Sequence, residues 1–146
     1  MKVEDSATGD QQTYAYDEFG NVVEEVHGTG LRTTRNYDSL TGLLLSVKNP
    51  NNLTTTFQYN SNGLVAQTSM PIAAGQSFVQ ANEYNPLGQL TRVSDSGGRN
   101  EIVAYDLAGN ILNKSVRRDS TTTLTTVYTY DQFNRLKSIK TPSNVS

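Results

Sequence analysis

The stretch YDEFGNV at residues 16–22 decides the fold, because the chain repeats it five more times with small changes. The further copies are YDSLTGLL from Tyr37, YNSNGLV from Tyr59, YNPLGQL from Tyr84, YDLAGNI from Tyr105 and YDQFNRL from Tyr130. The six tyrosines lie 21, 22, 25, 21 and 25 residues apart. A period of about 20 to 50 residues is typical of stacked supersecondary units. Because one such unit cannot bury its own apolar face, we expect function to belong to the array.

Each copy has the composition of a β-turn between two strands. An Asp or Asn side chain at the first turn position accepts bonds from backbone N–H groups. A Gly near the end of the turn supplies the positive φ that lets a turn rejoin a strand through a bulge, and Asn tolerates that conformation best after Gly. Only the second copy is longer, with Thr41 inserted before its glycine. The predicted structural motif is therefore Tyr16, Asp17, Gly20, Tyr37, Asp38, Gly42, Tyr59, Asn60, Gly63, Tyr84, Asn85, Gly88, Tyr105, Asp106, Gly109, Tyr130, Asp131 and Asn134.

A second set of turn-forming segments lies midway between the tyrosine turns and varies in length. These distal loops are HGTG at 27–30, NPNN at 49–52, PIAAGQS at 71–77, DSGG at 95–98 and RRDSTT at 117–122. The pattern predicts an all-β fold: tandem β-hairpins of about twelve strands forming a curved antiparallel strip, a segment of a spiral. We expect residues 1–12 to be a partial repeat or disordered lead-in, 13–142 a single array of about six repeats, and 143–146 a tail.

The composition favours a thin, solvent-facing β structure. Only 35% of residues are hydrophobic, Trp is absent, and the mean hydropathy is −0.53. Twelve basic and fourteen acidic residues are scattered along the chain, so nucleic acid is not an expected partner. Without cysteine, neither disulfides nor thiolate metal sites can form. No apolar run is long enough for a membrane span. The polar start, a few residues before the first repeat, suggests a piece of a longer protein.

The motif, with Tyr-Asp followed by Gly and an aliphatic residue every 21 to 25 positions, resembles the YD repeat of the RHS family. That family includes bacterial polymorphic toxins, the B and C components of Tc toxins, and the teneurins. The resemblance covers about residues 11 to 141. It implies a β-sheet strip that spirals into a hollow shell, which in bacterial members encloses a C-terminal toxic domain. The RHS core region that closes such shells has no counterpart after Thr141, so enclosure is expected only of a longer parent protein.

From this resemblance we expect a non-catalytic structural segment of a secreted or cell-surface protein, with no cofactor. Its partners would be the rest of a larger RHS-type polypeptide or an enclosed toxin domain. The two end strands expose unpaired backbone groups, which predicts self-association through the open sheet edges.

Two other functions compete with this interpretation. The repeated aspartates suggest a glycosidase or a calcium site, but paired catalysis needs two carboxylates facing one gap. Here they lie one per repeat, about 10 Å apart by sheet geometry, and Asn replaces Asp at Asn60 and Asn85. We therefore interpret them as turn caps. The tyrosine ladder suggests a carbohydrate-binding or adhesive module with a glycan partner, although packing between repeats explains it more simply. His27, the only histidine, is interpreted as an exposed loop residue without catalytic or metal partners.

Overall fold

The computed structural model describes residues 2–4, 11–73 and 75–142, with side chains described from residue 11 onwards. Its thirteen strands are β1 (Lys2–Glu4), β2 (Gln11–Tyr16), β3 (Val22–Val26), β4 (Arg32–Tyr37), β5 (Leu44–Lys48), β6 (Thr54–Tyr59), β7 (Val65–Ala73), β8 (Gln76–Tyr84), β9 (Leu90–Asp95), β10 (Asn100–Tyr105), β11 (Ile111–Arg117), β12 (Thr123–Tyr130) and β13 (Leu136–Lys140). In these ranges the chain forms no helix, and so none that could cross a bilayer.

The chain divides into two units, Met1–Val79 and Gln80–Ser146, and the boundary falls inside β8. In the first unit each strand from β1 onwards pairs antiparallel with the next along the chain. The second unit continues in the same way from the end of β8 to β13. The predicted all-β fold of consecutive antiparallel hairpins is confirmed.

The structure has one strand more than the twelve predicted, because Lys2–Glu4 pairs with the start of β2 ahead of the first repeat. The rest of the expected lead-in is described only for residues 11 and 12, which belong to β2. Residues 143–146, predicted as a tail, lie outside the described residues. The domain boundaries 1–12, 13–142 and 143–146 stay a prediction.

The two faces of each sheet differ in burial, which the sequence left open. Along β6 and β12 exposed and half-buried residues alternate strictly, and the half-buried ones include Phe57, Tyr59, Tyr128 and Tyr130. We call the side carrying these aromatics the tyrosine face. The opposite side, the polar face, carries mainly Thr, Ser and charged residues, and hydroxyl pairs such as Thr129–Ser138 join neighbouring strands there. The amphipathic pattern of period two is therefore present on these strands.

Each unit is a single layer of sheet. Among the described residues only Val93 (6% exposed) and Glu101 (9% exposed) are buried, and both lie on the tyrosine face. Within each unit no described residue forms a second layer over that face, so the aromatic side chains of β6 and β12 stay half-buried. A single layer cannot form the two-layer core of an ordinary globular domain.

Every tyrosine turn is followed by a bulge. The register shifts by one residue at the tyrosine, so that Tyr16 pairs with Val22 while Ala15 pairs with Glu24. The same shift occurs at the other five copies. One extra residue on the returning strand interrupts the ladder at this point, as bulges do.

At three junctions between neighbouring repeats the pairing is shorter than within a hairpin, whereas β11 and β12 share five pairs. Strands β3 and β4 share three pairs, all near the distal loop, and the pair closest to the tyrosine turns is Glu24–Thr34. Strands β5 and β6, and β9 and β10, also share three pairs each. Successive hairpins therefore separate towards their tyrosine turns and leave clefts there.

Candidate functional site

The first tyrosine turn is closed by backbone and side-chain bonds around Asp17. The N–H of Gly20 donates to the Asp17 carbonyl at 3.2 Å, and the Asp17 N–H donates to the Asn21 carbonyl at 3.0 Å. The Asp17 Oδ1 accepts the N–H groups of Phe19 (3.0 Å) and Asn21 (2.8 Å). The Asn21 side chain donates to Asp17 Oδ2 at 3.0 Å. One carboxylate thus satisfies several turn donors that would otherwise depend on water.

Asn performs the same task as Asp in the third and fourth turns. The Oδ1 atom of Asn60 accepts the N–H groups of Asn62 and Leu64, both at 3.0 Å. Asn85 Oδ1 accepts the N–H groups of Leu87 and Gln89 at the same distance. The oxygen acceptor, and not the negative charge, is therefore what the turn uses.

The inserted Thr41 lengthens the second turn by one residue. Its closing bond runs from the Gly42 N–H to the Asp38 carbonyl at 2.9 Å, four residues back instead of three. Asp38 Oδ1 now accepts the N–H of Thr41 at 2.8 Å and its hydroxyl at 2.8 Å. The cap adapts to the insertion because the threonine hydroxyl replaces a backbone donor.

The residue that ends each turn has a positive φ, as the repeat pattern predicts. Gly63 has φ 74° and Asn134 has φ 59°. This is the left-handed region that glycine enters freely and asparagine enters more easily than other residues with a side chain.

Two of the distal loops contain the same capped turn, which the sequence interpretation missed. Asn49 Oδ1 accepts the N–H groups of Asn51 and Leu53 at 3.0 Å each, and Asn52 has φ 62°. Asp95 Oδ1 accepts the N–H groups of Gly97 (2.9 Å) and Arg99 (3.0 Å). The signal was present as an Asp or Asn followed three residues later by Asn or Gly, without the preceding tyrosine.

Hydrogen bonds in these turns lower the pKa values of their carboxyl groups. The main cause is the Asn21 side chain for the pKa of Asp17, the Thr41 side chain for Asp38, the Asn110 side chain for Asp106, and the Arg135 N–H for Asp131. In the last distal loop, the N–H of Thr121 and other bonds lower the pKa of Asp119 to about 2. These carboxylates accept bonds as anions and do not act as proton donors at neutral pH.

The tyrosine hydroxyls tie successive repeats together. They donate to backbone carbonyls of the preceding hairpin: Tyr37 to Val22 (3.3 Å), Tyr59 to Leu44 (2.8 Å), Tyr105 to Leu90 (2.9 Å) and Tyr130 to Ile111 (3.0 Å). In each case the acceptor belongs to the residue that pairs with the preceding tyrosine. The bond therefore joins two successive hairpins beyond the point where backbone pairing between them has ended. The sequence interpretation considered only ring packing, although the choice of Tyr over Phe in all six copies was a signal.

Clefts open between consecutive turns of the first unit. The first, of about 340 Å³, lies between turns one and two and is lined by Asp17, Phe19, Val23, Arg35 and Tyr37 among others. The second, of about 290 Å³, lies between turns two and three. Its lining is mainly apolar and includes Leu43, Leu45, Phe57 and Tyr59. The edge therefore alternates between projecting turns and clefts.

Ion pairs lie on the tyrosine face in both units and were not foreseen from the sequence. In the first unit Glu25 contacts Arg35 Nη2 at 2.9 Å and His27 Nε2 at 3.4 Å. His27 also contacts the Gln12 amide at 3.0 Å, so it is a partly exposed member of this cluster and more than a loop residue.

In the second unit the buried Glu101 contacts Lys114 Nζ at 2.7 Å and Arg99 Nη2 at 2.9 Å. The Lys114 bond, followed by that of Arg99, lowers the pKa of Glu101 despite its burial. The Glu101 side chain in turn raises the pKa of Arg99. The group places one carboxylate between two cations and joins β10 to β11 and to the preceding distal loop.

The repeated carboxylates do not form a metal centre in the part of the chain that is described. No group of three His, Asp or Glu side chains there could hold an ion. The motif residues instead organise the tyrosine turns. The caps close each turn, the glycines or Asn134 end it, and four of the six tyrosines link their turn to the hairpin before.

Comparison with known proteins agrees with this architecture. The family described as Teneurin YD-shell matches residues 25–143. No curated protein matches the chain significantly. A Photorhabdus luminescens Tc holotoxin pore is similar in structure, with a TM-score of 0.59, 14% identity, and coverage of 89% of this chain and 9% of that one.

A TcdB2–TccC3 crystal structure gives a TM-score of 0.52 at 19% identity, covering 97% of this chain and 10% of that one. At these identities the likeness shows the fold alone. The chain spans about a tenth of the length of the solved chains that it matches.

Proposed function

Since the chain belongs to the teneurin YD-shell family, we propose that this structural shell repeat forms part of the wall of a hollow shell that encloses or scaffolds a toxin or partner polypeptide. The family match and the likeness to a Tc holotoxin support a wall segment. Enclosure of a polypeptide is the part of the proposal that requires an experiment.

The observation that carries the proposal is the single-layer architecture with two unlike faces. A sheet with an aromatic side and a polar side normally buries the aromatic side against a second layer. Here only Val93 and Glu101 are buried among the described residues, and the tyrosine face stays half-exposed. A face left uncovered in this way offers apolar area to whatever lies beside it.

We infer that the tyrosine face points towards the enclosed polypeptide and the polar face towards water. The polar face is rich in Thr and Ser, whose hydroxyls bond one another across strands, as in Ser115–Thr125 at 2.8 Å. The tyrosine face combines half-buried rings with ion-pair clusters around Glu25 and Glu101. A mixed apolar and polar lining of this kind contacts a polypeptide without selecting one sequence.

The proposal assigns no catalytic step to this segment. The turn carboxylates are occupied by backbone donors, and their low pKa values make them poor general acids at neutral pH. We further propose that the parent protein is secreted or displayed at the cell surface, because a shell of the holotoxin type acts outside the cell that makes it.

These 146 residues contain no cysteine, so a cysteine introduced here can be located by peptide mapping after labelling and used to test enclosure. Thr55 and Thr56 are neighbours in β6, with Thr55 half-buried on the tyrosine face and Thr56 exposed on the polar face. The variants Thr55→Cys and Thr56→Cys are prepared in the polypeptide that the natural gene encodes, and each is also prepared in the 146-residue chain. The rate of modification by a bulky maleimide-polyethylene glycol is measured for all four proteins.

Enclosure predicts that both cysteines react in the isolated chain, whereas in the natural polypeptide only Thr56→Cys reacts at a comparable rate. Equal reaction of the two cysteines in the natural polypeptide would contradict enclosure. Protection of Thr56→Cys instead would contradict our orientation of the faces. Specific binding of a glycan to the isolated chain, measured by titration calorimetry, would favour the adhesive alternative, although four tyrosine hydroxyls are already bonded to carbonyls.

A further inference from the structure

The tips of the tyrosine turns carry large apolar side chains that the turn itself does not need. In the first unit Phe19 is 67% exposed and Leu40 is 94% exposed. The second unit repeats the feature with Leu87, Leu107 and Phe133, which are 77%, 106% and 68% exposed. Turn tips normally carry polar residues, Gly or Pro. Exposed apolar groups at five of the six turns are the pattern expected of a contact surface.

The third turn shows that the backbone does not require an apolar residue at this place. Asn62 occupies the position held by Phe19 and Leu40 in the first two turns, and it is exposed. Its turn has the same cap and the same closing bond, Gly63 N–H to the Asn60 carbonyl at 3.0 Å. The apolar tips of the neighbouring turns therefore serve something outside their own hairpins.

The opposite edge of the first unit also exposes apolar side chains. Leu31 and Leu53 follow two distal loops directly and are 52% and 46% exposed. Ile72, at the third distal loop, is 64% exposed. We call residues 17–21, 38–43 and 60–64 the turn edge, and residues 27–32, 48–53, 70–73 and 75–77 the distal edge.

The two edges carry opposite charge. The turn edge contains Asp17, Glu18 and Asp38 and no basic residue. The distal edge contains Arg32 and Lys48 and no acidic residue; Arg32 also contacts Glu24 of β3 at 3.0 Å, so Lys48 is the cation that remains for a second copy. The hydrogen bonds that lower the pKa values of Asp17 and Asp38 keep the turn edge negative well into the acid range.

We propose that the turn edge of one copy of this chain docks on the distal edge of a second copy, side by side. Both edges have one projection per repeat, spaced by two strands or about 10 Å, so several apolar contacts can form in register. The charges attract in this arrangement, whereas two turn edges facing each other would place Asp17, Glu18 and Asp38 against their own copies. The contact joins two different surfaces and does not close on itself as a dimer, so it continues from copy to copy.

This docking contact is independent of the proposed function, because two arrays can dock side by side without an enclosed polypeptide. It also differs from pairing of the end strands, since the contact lies along the sides of the sheet and uses side chains. In the first unit it involves the tips Phe19 and Leu40 on one copy and Leu31, Leu53 and Ile72 on the next.

The test compares the wild-type chain with two variants by sedimentation velocity over a wide concentration range at low salt. The turn-edge variant is Phe19→Asn with Leu40→Asn, which copies the natural Asn62 turn. The distal-edge variant is Leu31→Ser with Leu53→Ser. Because burying one large apolar side chain contributes about 1.5–3 kcal/mol, each variant should weaken association at least about tenfold. Circular dichroism and thermal unfolding, expected to be unchanged, check that both variants keep the fold.

Mixing the variants distinguishes this contact from every other arrangement. The turn-edge variant keeps an intact distal edge, and the distal-edge variant keeps an intact turn edge. An equimolar mixture should therefore form one-to-one dimers that grow no further, while each variant alone stays monomeric at the same concentration. Raising the salt concentration should weaken both the wild-type association and the mixed dimer.

Three results would overturn the proposal. A wild-type chain that stays monomeric throughout lacks the contact. Variants that associate as strongly as the wild type would show that association uses the end strands. A mixture that fails to form dimers would show that the two edges are not partners.

Discussion

The tyrosine hydroxyl is the atom that turns a row of hairpins into a connected array. The ladder between repeats stops before it reaches the turn edge, at Glu24–Thr34 in the first unit. Tyr37 then spans the gap by donating to the Val22 carbonyl. Phenylalanine would provide the same ring but would leave that carbonyl without this partner, which is a physical reason for tyrosine at this place.

Replacement of Tyr130 by Phe tests this role against a matched neighbour. Tyr130 donates to the Ile111 carbonyl at 3.0 Å, whereas the hydroxyl of Tyr128, on the same strand and face, has no partner among the described residues. Tyr130→Phe should lower the free energy of unfolding by about 0.5–1.5 kcal/mol, the net value of one hydrogen bond. Tyr128→Phe should change it by much less. Urea unfolding of both variants measures the difference, and equal effects would show that the hydroxyl bond contributes nothing.

The residue that ends each turn is limited by its backbone angle and not by space. A Cβ added at Gly63 would meet no atom within 4 Å, yet φ there is 74°. We expect Gly63→Val to destabilise the fold by about 1–2 kcal/mol or more, the cost of a left-handed residue with a side chain. Gly63→Asn should cost less, because Asn134 holds this position naturally at φ 59°. Chemical unfolding compares the two, and an equal loss for Val and Asn would contradict the backbone explanation.

At the scale of the element, the turn is a modular unit whose cap needs an oxygen acceptor. Asp17 and Asn60 accept the same two N–H groups, two and four residues further on. The insertion of Thr41 is absorbed by the cap of Asp38 without loss of the turn. The same geometry recurs at Asn49 and Asp95, so one turn type serves both edges of the sheet.

The caps predict how stability depends on pH. Folding lowers the pKa values of Asp17 and Asp106 below the usual 3.8, so these groups stabilise the fold above that pH. Their contribution is lost as the pH falls through the lower folded values. The variant Asp17→Asn with Asp106→Asn should be nearly as stable as wild type at pH 7 and should lose less stability between about pH 4 and pH 2. Thermal unfolding across this range measures both curves, and parallel curves would contradict a role for the two carboxylates.

At the scale of the whole molecule, every contact between strands in the described chain joins sequence neighbours. Stability should then be a sum of local terms that decreases towards an end strand. In the second unit all five residues of β13 are exposed, whereas β9 and β10 contain the buried Val93 and Glu101.

Hydrogen exchange tests this gradient within the second unit. We expect the amides of β13 to exchange fastest and those paired between β9 and β10, from Asn100–Ser94 to Ile102–Arg92, to exchange slowest. Mass spectrometry of peptides from these strands measures the difference. Uniform protection across the unit would indicate one cooperative block in place of neighbour-by-neighbour stability.

The amino-acid sequence determined the turns, and through them the antiparallel order of the strands. A cap, a positive-φ residue and their spacing act within five or six residues. The turn built by Asp17 and Gly20 therefore recurs wherever the same residue types have the same spacing. The turns at Asn49 and Asp95 were predicted as distal loops, but their use of the same cap was missed because no tyrosine precedes them.

Only the tertiary structure decided which face is half-buried, which carbonyl each tyrosine hydroxyl reaches, and that Glu101 lies between Arg99 and Lys114. These features depend on the register between strands and on the one-residue shift at each bulge. A change of register by one residue moves a side chain to the other face, so composition and spacing along one strand cannot specify them.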